Sequence, residues 1–144
     1  MLLDLYQRRL TGLVEGGFNF VDVRDVVAGA MAAEARGRTG HHYLLSGYWL
    51  SVEQLARIVE EVTGVKAPRF VCPMWLARAA APFAEAYASA LNVPAKFTGT
   101  ALHALRNHKI ISSQKAQDEL GYRARSTRET ISDMFDWFRE AKII

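Results

Sequence analysis

The chain has 144 residues, half of them hydrophobic, and a formal net charge of +3 at pH 7. This length suits one domain, and this composition allows a packed core and argues against intrinsic disorder. Basic and acidic residues are interspersed along the sequence, whereas phosphate binding needs a clustered basic surface, so we expect no binding to nucleic acid.

The first predicted element is a short helix over residues 2–10, where leucines and a tyrosine recur at helical spacing. Three glycines, Gly12, Gly16 and Gly17, then mark a loop. Residues 18–21 follow as a short extended run.

Residues 22–36 carry the signals of an amphipathic helix. Asp22 occupies the N-cap position, and Asp25 lies near the positive end of the helix dipole. Five apolar residues have the spacing of one buried helix face: Val23, Val26, Val27, Ala30 and Met31. We expect both aspartates to start the helix; a carboxylate pair for acid–base chemistry is the alternative.

A strand and a well-capped helix are expected next. Residues 41–46 contain a continuous apolar run between glycines, which is typical of a strand covered on both faces, as in a parallel sheet. Ser51 and Gln54 have the spacing of a capping box, which predicts a helix that ends at Gly64. A second extended run is expected at residues 69–72.

The rest of the chain is predicted to be mostly helical. Pro73 opens an alanine-rich helix, in which Pro82 predicts a kink. The remaining expected elements are a helix at about 100–107, an extended run at 108–111, a helix from Ser113 to Leu120, and a last helix that begins with a capping box at Ser126 and Glu129.

The residues alone show no catalytic constellation. The four histidines form no metal-binding spacing, and both the G-x-S-x-G elbow and the G-x-G-x-x-G loop are absent. We therefore expect no metal. The glycines at 12, 16 and 17 precede an extended run instead of following a strand, so they lack the context of a phosphate-binding loop.

Cysteine use and hydropathy indicate a cytoplasmic protein. The single cysteine, Cys72, excludes a disulfide framework and is expected to be a buried, inert thiol. No stretch approaches the roughly 18 apolar residues that suggest a membrane span. The first ten residues lack the charge order of a signal peptide.

Four segments carry a family resemblance through their order and spacing. They are NFVDVRDVVAGAMAAEARGRTGHHYLLSG, LSVEQLARIVEEVTGVKAP, SSQKAQDELGY and TRETISDMFDWF. Over residues 1–140 the chain resembles the C-terminal part of extended short-chain dehydrogenases/reductases of the NAD-dependent epimerase/dehydratase family. Within that family it is most similar to the branch of dihydroflavonol-reductase-like proteins and hopanoid-associated sugar epimerases.

The resemblance implies an α/β, helix-rich fold with short strands and about six helices. This would be the C-terminal portion of an NAD(P)-binding Rossmann-type fold, with residues 1–144 as a single substrate-binding region. The N-terminal Rossmann domain of the family, which carries the dinucleotide loop and the catalytic Ser, Tyr and Lys, has no matching positions here. We therefore expect NAD or NADP in the parent enzyme, and no cofactor and no activity for this chain alone.

The resemblance also implies a substrate pocket for a small molecule with a carbonyl or alcohol group, such as a sugar or a flavonol. The candidate substrate-binding residues are Phe18, Asn19, Trp75, Arg106 and Asn107. Core packing is the alternative for Phe18 and Trp75. Sugar-nucleotide members have an arginine where this chain has Gly16, Gly17 and Phe18, which favours a less charged, more apolar substrate.

Two further expectations concern partners. A strand at Tyr43–Ser46 resembles one that adds to the edge of the Rossmann sheet, so without that sheet we expect self-association through it. The alternative to a part of an enzyme is a stand-alone helical module that binds a small apolar ligand or a partner protein.

Overall fold

The computed structural model describes residues 1–80, Leu105 and residues 111–144. These residues form six helices and four short strands, which confirms the expected helix-rich α/β class. In chain order the elements are α1 (Leu2–Tyr6), β1 (Leu13–Val14), β2 (Gly17–Phe20), α2 (Val23–Arg36), β3 (Tyr48–Ser51), α3 (Val52–Thr63), β4 (Val71–Cys72), α4 (residues 74–80), α5 (Gln114–Leu120) and α6 (Thr127–Glu140).

The described residues fall into two compact units. The first contains Met1–Phe18, residues 50–80 and Leu105, and the second contains Asn19–Trp49 and residues 111–144. Strands β2 and β3 pair as a two-stranded sheet.

The first unit is built around α3. Ser51 accepts a hydrogen bond from the Gln54 backbone, and the Gln54 side chain completes the predicted capping box. Gly64 ends the helix in the left-handed conformation, at φ 73°. The buried stripe of α3 includes Leu55 and Val59, each 1% exposed, and α1 packs against this helix.

A small parallel sheet completes the first unit. Strand β1 pairs with β4 in the register Leu13 to Val71 and Val14 to Cys72. Val14 is buried against the start of α4, while Cys72 is only partly buried, in contrast to the buried thiol that we expected.

The core of the second unit is formed by three helices, α2, α5 and α6. Helix α2 packs against α5, where Ala116, Leu120 and Tyr122 form a buried cluster. Helix α6 buries Ile131 and Phe135 completely, as its predicted apolar face requires. The predicted ends of α5 are confirmed, with Gly121 in the left-handed conformation at φ 69°.

The predicted buried face of α2 is wrong. Val23, Val27 and Met31 are 72%, 53% and 65% exposed. The buried positions of the helix are instead Asp25 and Gly29. A charged and a glycine residue lie inside because each meets a specific partner there, which is described below.

The predicted strand at Tyr43–Ser46 is also wrong, because residues 41–47 are neither helix nor strand and the strand β3 begins at Tyr48. The side chains of Tyr43 and Leu45 pack on the α5 cluster. The Ser46 carbonyl accepts a hydrogen bond from the Tyr122 hydroxyl, at 3.2 Å. Side-chain packing and side-chain hydrogen bonds thus fix this segment.

Other predicted elements are shorter or lie outside the described residues. The first helix ends at Tyr6, well before residue 10. The kink at Pro82, the helix at 100–107 apart from Leu105, and the run at 108–111 apart from Ile111 are outside the part that the structure describes.

Candidate functional site

Strand β2 contains two of the predicted substrate-binding residues. Phe18 and Asn19 both lie in it and are partly buried. The chain enters β2 through Gly16, whose φ of +134° is a conformation that other residues rarely adopt. A Cβ atom on Gly16 would lie 2.7 Å from the Leu105 carbonyl oxygen, which accepts a hydrogen bond from Gly17 at 2.9 Å. These contacts fix the backbone just before Phe18.

In the second unit, the C-terminal end of β2 lies very close to the backbone of Gly47. A Cβ atom on Gly47 would overlap the carbonyl oxygen of Phe20, so only glycine fits there. The backbone that follows Asn19 is therefore packed directly against residue 47, and its position does not depend on a flexible side chain.

Trp75 lies in α4 with 72% of its surface exposed. The alternative interpretation of Trp75 as a core residue is therefore wrong. The start of α4 is fixed in the first unit by Glu15, whose carboxylate accepts a hydrogen bond from the Met74 backbone at 3.2 Å. Phe18 and Trp75 belong to the first unit and Asn19 to the second. The other two candidates, Arg106 and Asn107, lie outside the described residues.

A cluster of ion pairs, of which the sequence revealed only the N-cap, surrounds the start of α2. Asp22 is 6% exposed and accepts hydrogen bonds from the Arg24 backbone at 2.8 Å and from the Arg24 guanidinium at 2.6 and 2.9 Å. Arg24 also reaches Asp133 of α6 at 2.7 Å. This confirms Asp22 as the N-cap and adds a link from α2 to α6.

Asp25 forms the second half of this cluster. It is 6% exposed and accepts hydrogen bonds from the Arg125 backbone at 2.8 Å and from its Nε atom at 2.9 Å. Arg125 lies 3.7 Å from Asp22 as well. No local signal in the sequence could show this pair, because its two residues are 100 positions apart.

Both aspartates are held in the ionised form. Hydrogen bonds from Arg24 keep the pKa of Asp22 well below its usual value, although burial opposes this. For Asp25, burial would raise the pKa, but the hydrogen bonds from Arg125 outweigh it and the pKa is lowered. Both carboxylates are bonded to arginines, and a lowered pKa makes each of them a weak proton acceptor near neutral pH, which favours a structural role over an acid–base pair.

A second polar network fixes the segment after α2. Glu119 accepts hydrogen bonds from the Tyr43 hydroxyl at 2.6 Å and from Arg38. The pKa of Glu119 is lowered from 4.5 to about 2, first by the Arg38 hydrogen bond and then by Tyr43. Lys115 lies 4.8 Å from the centre of the Tyr43 ring, within the range of a cation–π contact.

The first unit also contains a small cleft of about 170 Å³. It is lined by Leu13, Glu53, Ala56, Arg57, Ala67, Pro68 and Arg69. Its arginines are already paired, Arg57 with Glu53 at 2.6 Å and Arg69 with Glu60 at 2.9 Å. Ligand pockets usually measure roughly 300–1,000 Å³, so this cleft is too small to enclose a drug-sized ligand.

The described residues do not fit a dinucleotide. Such a site needs glycines that let the backbone approach the phosphates at the start of a helix. Here the loop glycines meet protein atoms: Gly12 faces the Phe70 ring and Gly16 faces Leu105. Gly17 opens a strand and not a helix.

Two other kinds of site are absent from the part that the structure describes. Its His, Cys, Asp and Glu residues form no group of three that could hold a metal ion. None of its helices combines the length and the apolar character needed to cross a membrane.

Longer proteins of known sequence are similar to this chain. No family model matches it. Sterol demethylase protein B of Methylococcus capsulatus is 32% identical over 99% of this chain and 44% of that protein. A dihydroflavonol-4-reductase-like protein of Synechocystis is 27% identical over 96% of this chain and 42% of that protein.

Among solved structures, the chain is similar to PA4631, a nucleoside-diphosphate-sugar epimerase from Pseudomonas aeruginosa. The TM-score is 0.74 and the identity 27%, over 97% of this chain and 41% of the epimerase chain. The chain thus spans less than half the length of these similar proteins, and each carries a larger part that the chain does not match.

Proposed function

We propose that this chain, which matches the C-terminal part of an extended short-chain dehydrogenase/reductase, supplies the substrate side of an NAD(P)-dependent oxidoreductase or epimerase. The similarity of almost the whole chain to reductase-like and epimerase proteins carries this proposal. Since the described residues do not fit a dinucleotide, the cofactor site would lie in the part that only the longer proteins contain.

In such an enzyme the nicotinamide exchanges hydride with a carbonyl or alcohol carbon, while the residues of this chain bind and orient the substrate. Phe18 and Trp75 provide aromatic faces for an apolar skeleton. Asn19 provides an amide that can both donate and accept a hydrogen bond, which suits a hydroxyl or carbonyl group.

The proposed substrate is an uncharged, largely apolar alcohol or ketone of the sterol or flavonol kind. Gly16 before β2, and Gly17 and Phe18 at the start of β2, stand where a cation would serve a nucleotide sugar. Arg24 and Arg125 in the second unit are occupied by Asp22, Asp25 and Asp133. Two of the similar proteins are also named for a sterol and a dihydroflavonol.

A chimera tests this function. The N-terminal part of PA4631, which the chain does not match, is joined to the start of this chain, and NADH binding verifies that this part has folded. We expect NAD(P)-dependent turnover of a 3-hydroxysterol or a dihydroflavonol and not of a nucleoside-diphosphate sugar. A chimera that binds NADH and converts none of these compounds contradicts the proposed function, and one that converts only the sugar contradicts the apolar substrate.

A variant pair assigns the role of Trp75. In the chimera, Trp75→Ala should raise KM by about tenfold, because truncating a large aromatic contact typically costs more than 1 kcal/mol of binding. Trp137→Ala is the matched control, since Trp137 is also exposed, at 56%, but is not a candidate site residue. Equal effects of the two variants would remove Trp75 from the substrate site.

A second candidate, a stand-alone binding module, is favoured by the exposed start of α4. Trp75 and Leu76 there are 72% and 41% exposed, which suits contact with an apolar ligand or a protein. Native mass spectrometry of this chain with a sterol distinguishes the two. One-to-one binding that Trp75→Ala abolishes, together with an inactive chimera, would favour the module.

Self-association through residues 43–46 is also a proposal, although these residues do not form the expected strand. Leu44 is the exposed apolar side chain of this segment, at 59%. If the segment joins two copies, sedimentation velocity should show a dimer that Leu44→Glu dissociates. A monomer at high concentration contradicts this proposal.

A further inference from the structure

Helix α4 begins after a residue whose side chain cannot cap it. Pro73 lies at the N-cap position, where its carbonyl accepts hydrogen bonds from Leu76 and Ala77, both at 3.1 Å. Proline has no side-chain oxygen that could accept a bond from the first amides of a helix. Helices α2, α3 and α6 differ in this respect, because the side chain of each N-cap residue accepts such a bond.

A cap for α4 comes instead from Glu15, in a distant part of the chain. Its carboxylate accepts a hydrogen bond from the Met74 backbone at 3.2 Å, across 59 positions of sequence. Met74 is the first residue of α4, so this amide has no acceptor within the helix. The negative charge of a carboxylate is also favourable at the positive end of the helix dipole. Glu15 therefore acts as a non-local N-cap of α4.

The backbone around Glu15 is fixed, so its carboxylate is held beside the start of α4. The Glu15 amide donates to the Cys72 carbonyl at 2.9 Å, which extends the pairing of β1 with β4 by one step. The carbonyl of the next residue, Gly16, accepts a hydrogen bond from Val52 at the start of α3, also at 2.9 Å. The contact with Met74 thus connects α4 to two other elements of the first unit.

Trp75 lies in the turn of α4 that this contact holds. With 72% of its surface exposed, Trp75 is not fixed by core packing, so the direction of its ring depends on the backbone of this first turn. Ala77 is 8% exposed and belongs to the same buried cluster as Val14, so the helix is anchored from there on. Without the Glu15 carboxylate the residues before Ala77 would fray, and an indole that must be ordered on binding contributes less affinity.

We propose that Glu15 is a positioning residue that directs Trp75 towards the substrate by capping α4. The proposal rests on the proposed function, in which the Trp75 indole provides an aromatic face for an apolar substrate. Glu15 itself needs no contact with the substrate. It should therefore matter for substrate binding only while Trp75 is present, and a neutral acceptor at position 15 should preserve most of the effect.

Hydrogen exchange in this chain alone tests the cap. Exchange is followed by NMR in the wild type, Glu15→Ala and Glu15→Gln, at the first amides of α4: Met74, Leu76 and Ala77. In Glu15→Ala these amides should exchange at least about threefold faster, as expected for the loss of an N-cap, and in Glu15→Gln, which keeps an acceptor oxygen, much less so. The Gly64 amide at the end of α3 should not change, which verifies folding. Unchanged exchange in Glu15→Ala, or equal acceleration in both variants, overturns the proposal.

A double-mutant cycle in the chimera tests whether Glu15 acts through Trp75. Glu15→Ala should raise KM by about threefold to fivefold with little change in kcat, because it affects the binding of substrate and not the reacting groups. In the Trp75→Ala background the same change should leave KM unaltered, since the residue that Glu15 positions is gone. Equal rises with and without Trp75 overturn the proposal.

Glu53→Ala is the matched control in both backgrounds. It removes an exposed carboxylate from the first turn of α3, a helix that contains no candidate site residue, and should leave KM unchanged. A rise in KM equal to that of Glu15→Ala would show a general effect of lost charge and would overturn the positioning role.

The two tests separate this proposal from the proposed function. Faster exchange in Glu15→Ala, together with a chimera that converts no substrate, supports capping by Glu15 and contradicts the function. A chimera that converts substrate with the same KM in the wild type and in Glu15→Ala contradicts the positioning role alone.

Discussion

At the scale of single residues, ion pairs of Asp22 and Asp25 hold the start of α2 in place. In most amphipathic helices, burial of an apolar face has this effect. Each of the two aspartates is 6% exposed and bonded to an arginine. A buried charge is tolerated only when it is paired and hydrogen-bonded, and removal of one partner leaves the other desolvated. These two residues therefore attach the start of α2 to the rest of the second unit.

Replacement of Asp25 should destabilise the second unit. Asp25→Ala leaves the Arg125 backbone amide without its acceptor, and we expect the free energy of unfolding to fall by about 1–3 kcal/mol. Asp133→Ala is the control, because that carboxylate is 44% exposed and its ion pair should contribute less than about 1 kcal/mol. Urea unfolding followed by circular dichroism measures both, and equal losses would contradict the structural role of Asp25.

The polar networks also predict how stability depends on pH. The pKa of Glu119 falls from 4.5 to about 2 in the folded chain, through Arg38 and Tyr43. A lowered pKa means that the stabilisation is complete above pH 4.5 and is lost as the pH falls towards 2. The pKa values of Asp22 and Asp25, lowered from 3.8, act in the same direction below pH 3.8.

Urea unfolding between pH 7 and pH 2 tests this dependence. Glu119→Gln should lower stability at pH 7 and flatten the loss of stability between pH 4.5 and 2, whereas Glu34→Gln, an exposed control on α2, should leave the curve unchanged. A wild-type slope in the Glu119→Gln variant would show that this network does not contribute.

At the scale of elements, α2 is oriented by close packing at one glycine. Gly29 lies against Leu45 and Tyr122, two residues of the cluster that also includes α5. Glycine weakens a helix interior, so its presence in the middle of α2 indicates that this close approach matters more than helix propensity.

A side chain at position 29 should therefore be costly. Gly29→Val places atoms within 3.0 Å of Leu45 and Tyr122, and overpacking of this kind costs about 1–3 kcal/mol, which exceeds the gain of roughly 0.5 kcal/mol in helix propensity. Ala28→Val on the exposed side should lose only about 0.5 kcal/mol of stability. Chemical denaturation of both variants measures the difference, and a stabilised Gly29→Val protein would contradict the packing argument.

At the scale of the whole molecule, the helix ends could be predicted from the sequence, because their signals are local. Ser51 with Gln54, Ser126 with Glu129, and Gly64 each act within a few residues. The similarity to longer reductase-like and epimerase proteins could also be predicted, because it is carried by the order of four segments.

Burial and pairing could not be predicted in the same way. The apolar spacing of α2 suggests a covered face, but the sequence does not show which structure covers it. In the described residues that face is open, and Asp25 lies inside because of Arg125, 100 positions away. The segment at 43–46 has the composition of a strand, yet Tyr43 and Leu45 use their side chains to pack on α5. Of the site candidates, Phe18, Asn19 and Trp75 are placed, and only for Trp75 is the alternative of core burial removed.

At the scale of the whole molecule, we expect that this chain does not bind NADH by itself and that the chimera does. The loop glycines Gly12 and Gly16 face Phe70 and Leu105, so neither of them opens towards a helix start, where a pyrophosphate would bind. We expect a titration of this chain with NADH, monitored by nicotinamide fluorescence, to show no saturable binding at micromolar concentrations. The chimera is the positive control. A Kd below about 10 μM, equivalent to roughly 7 kcal/mol, would require a cofactor site within this chain and would contradict its assignment to the substrate side.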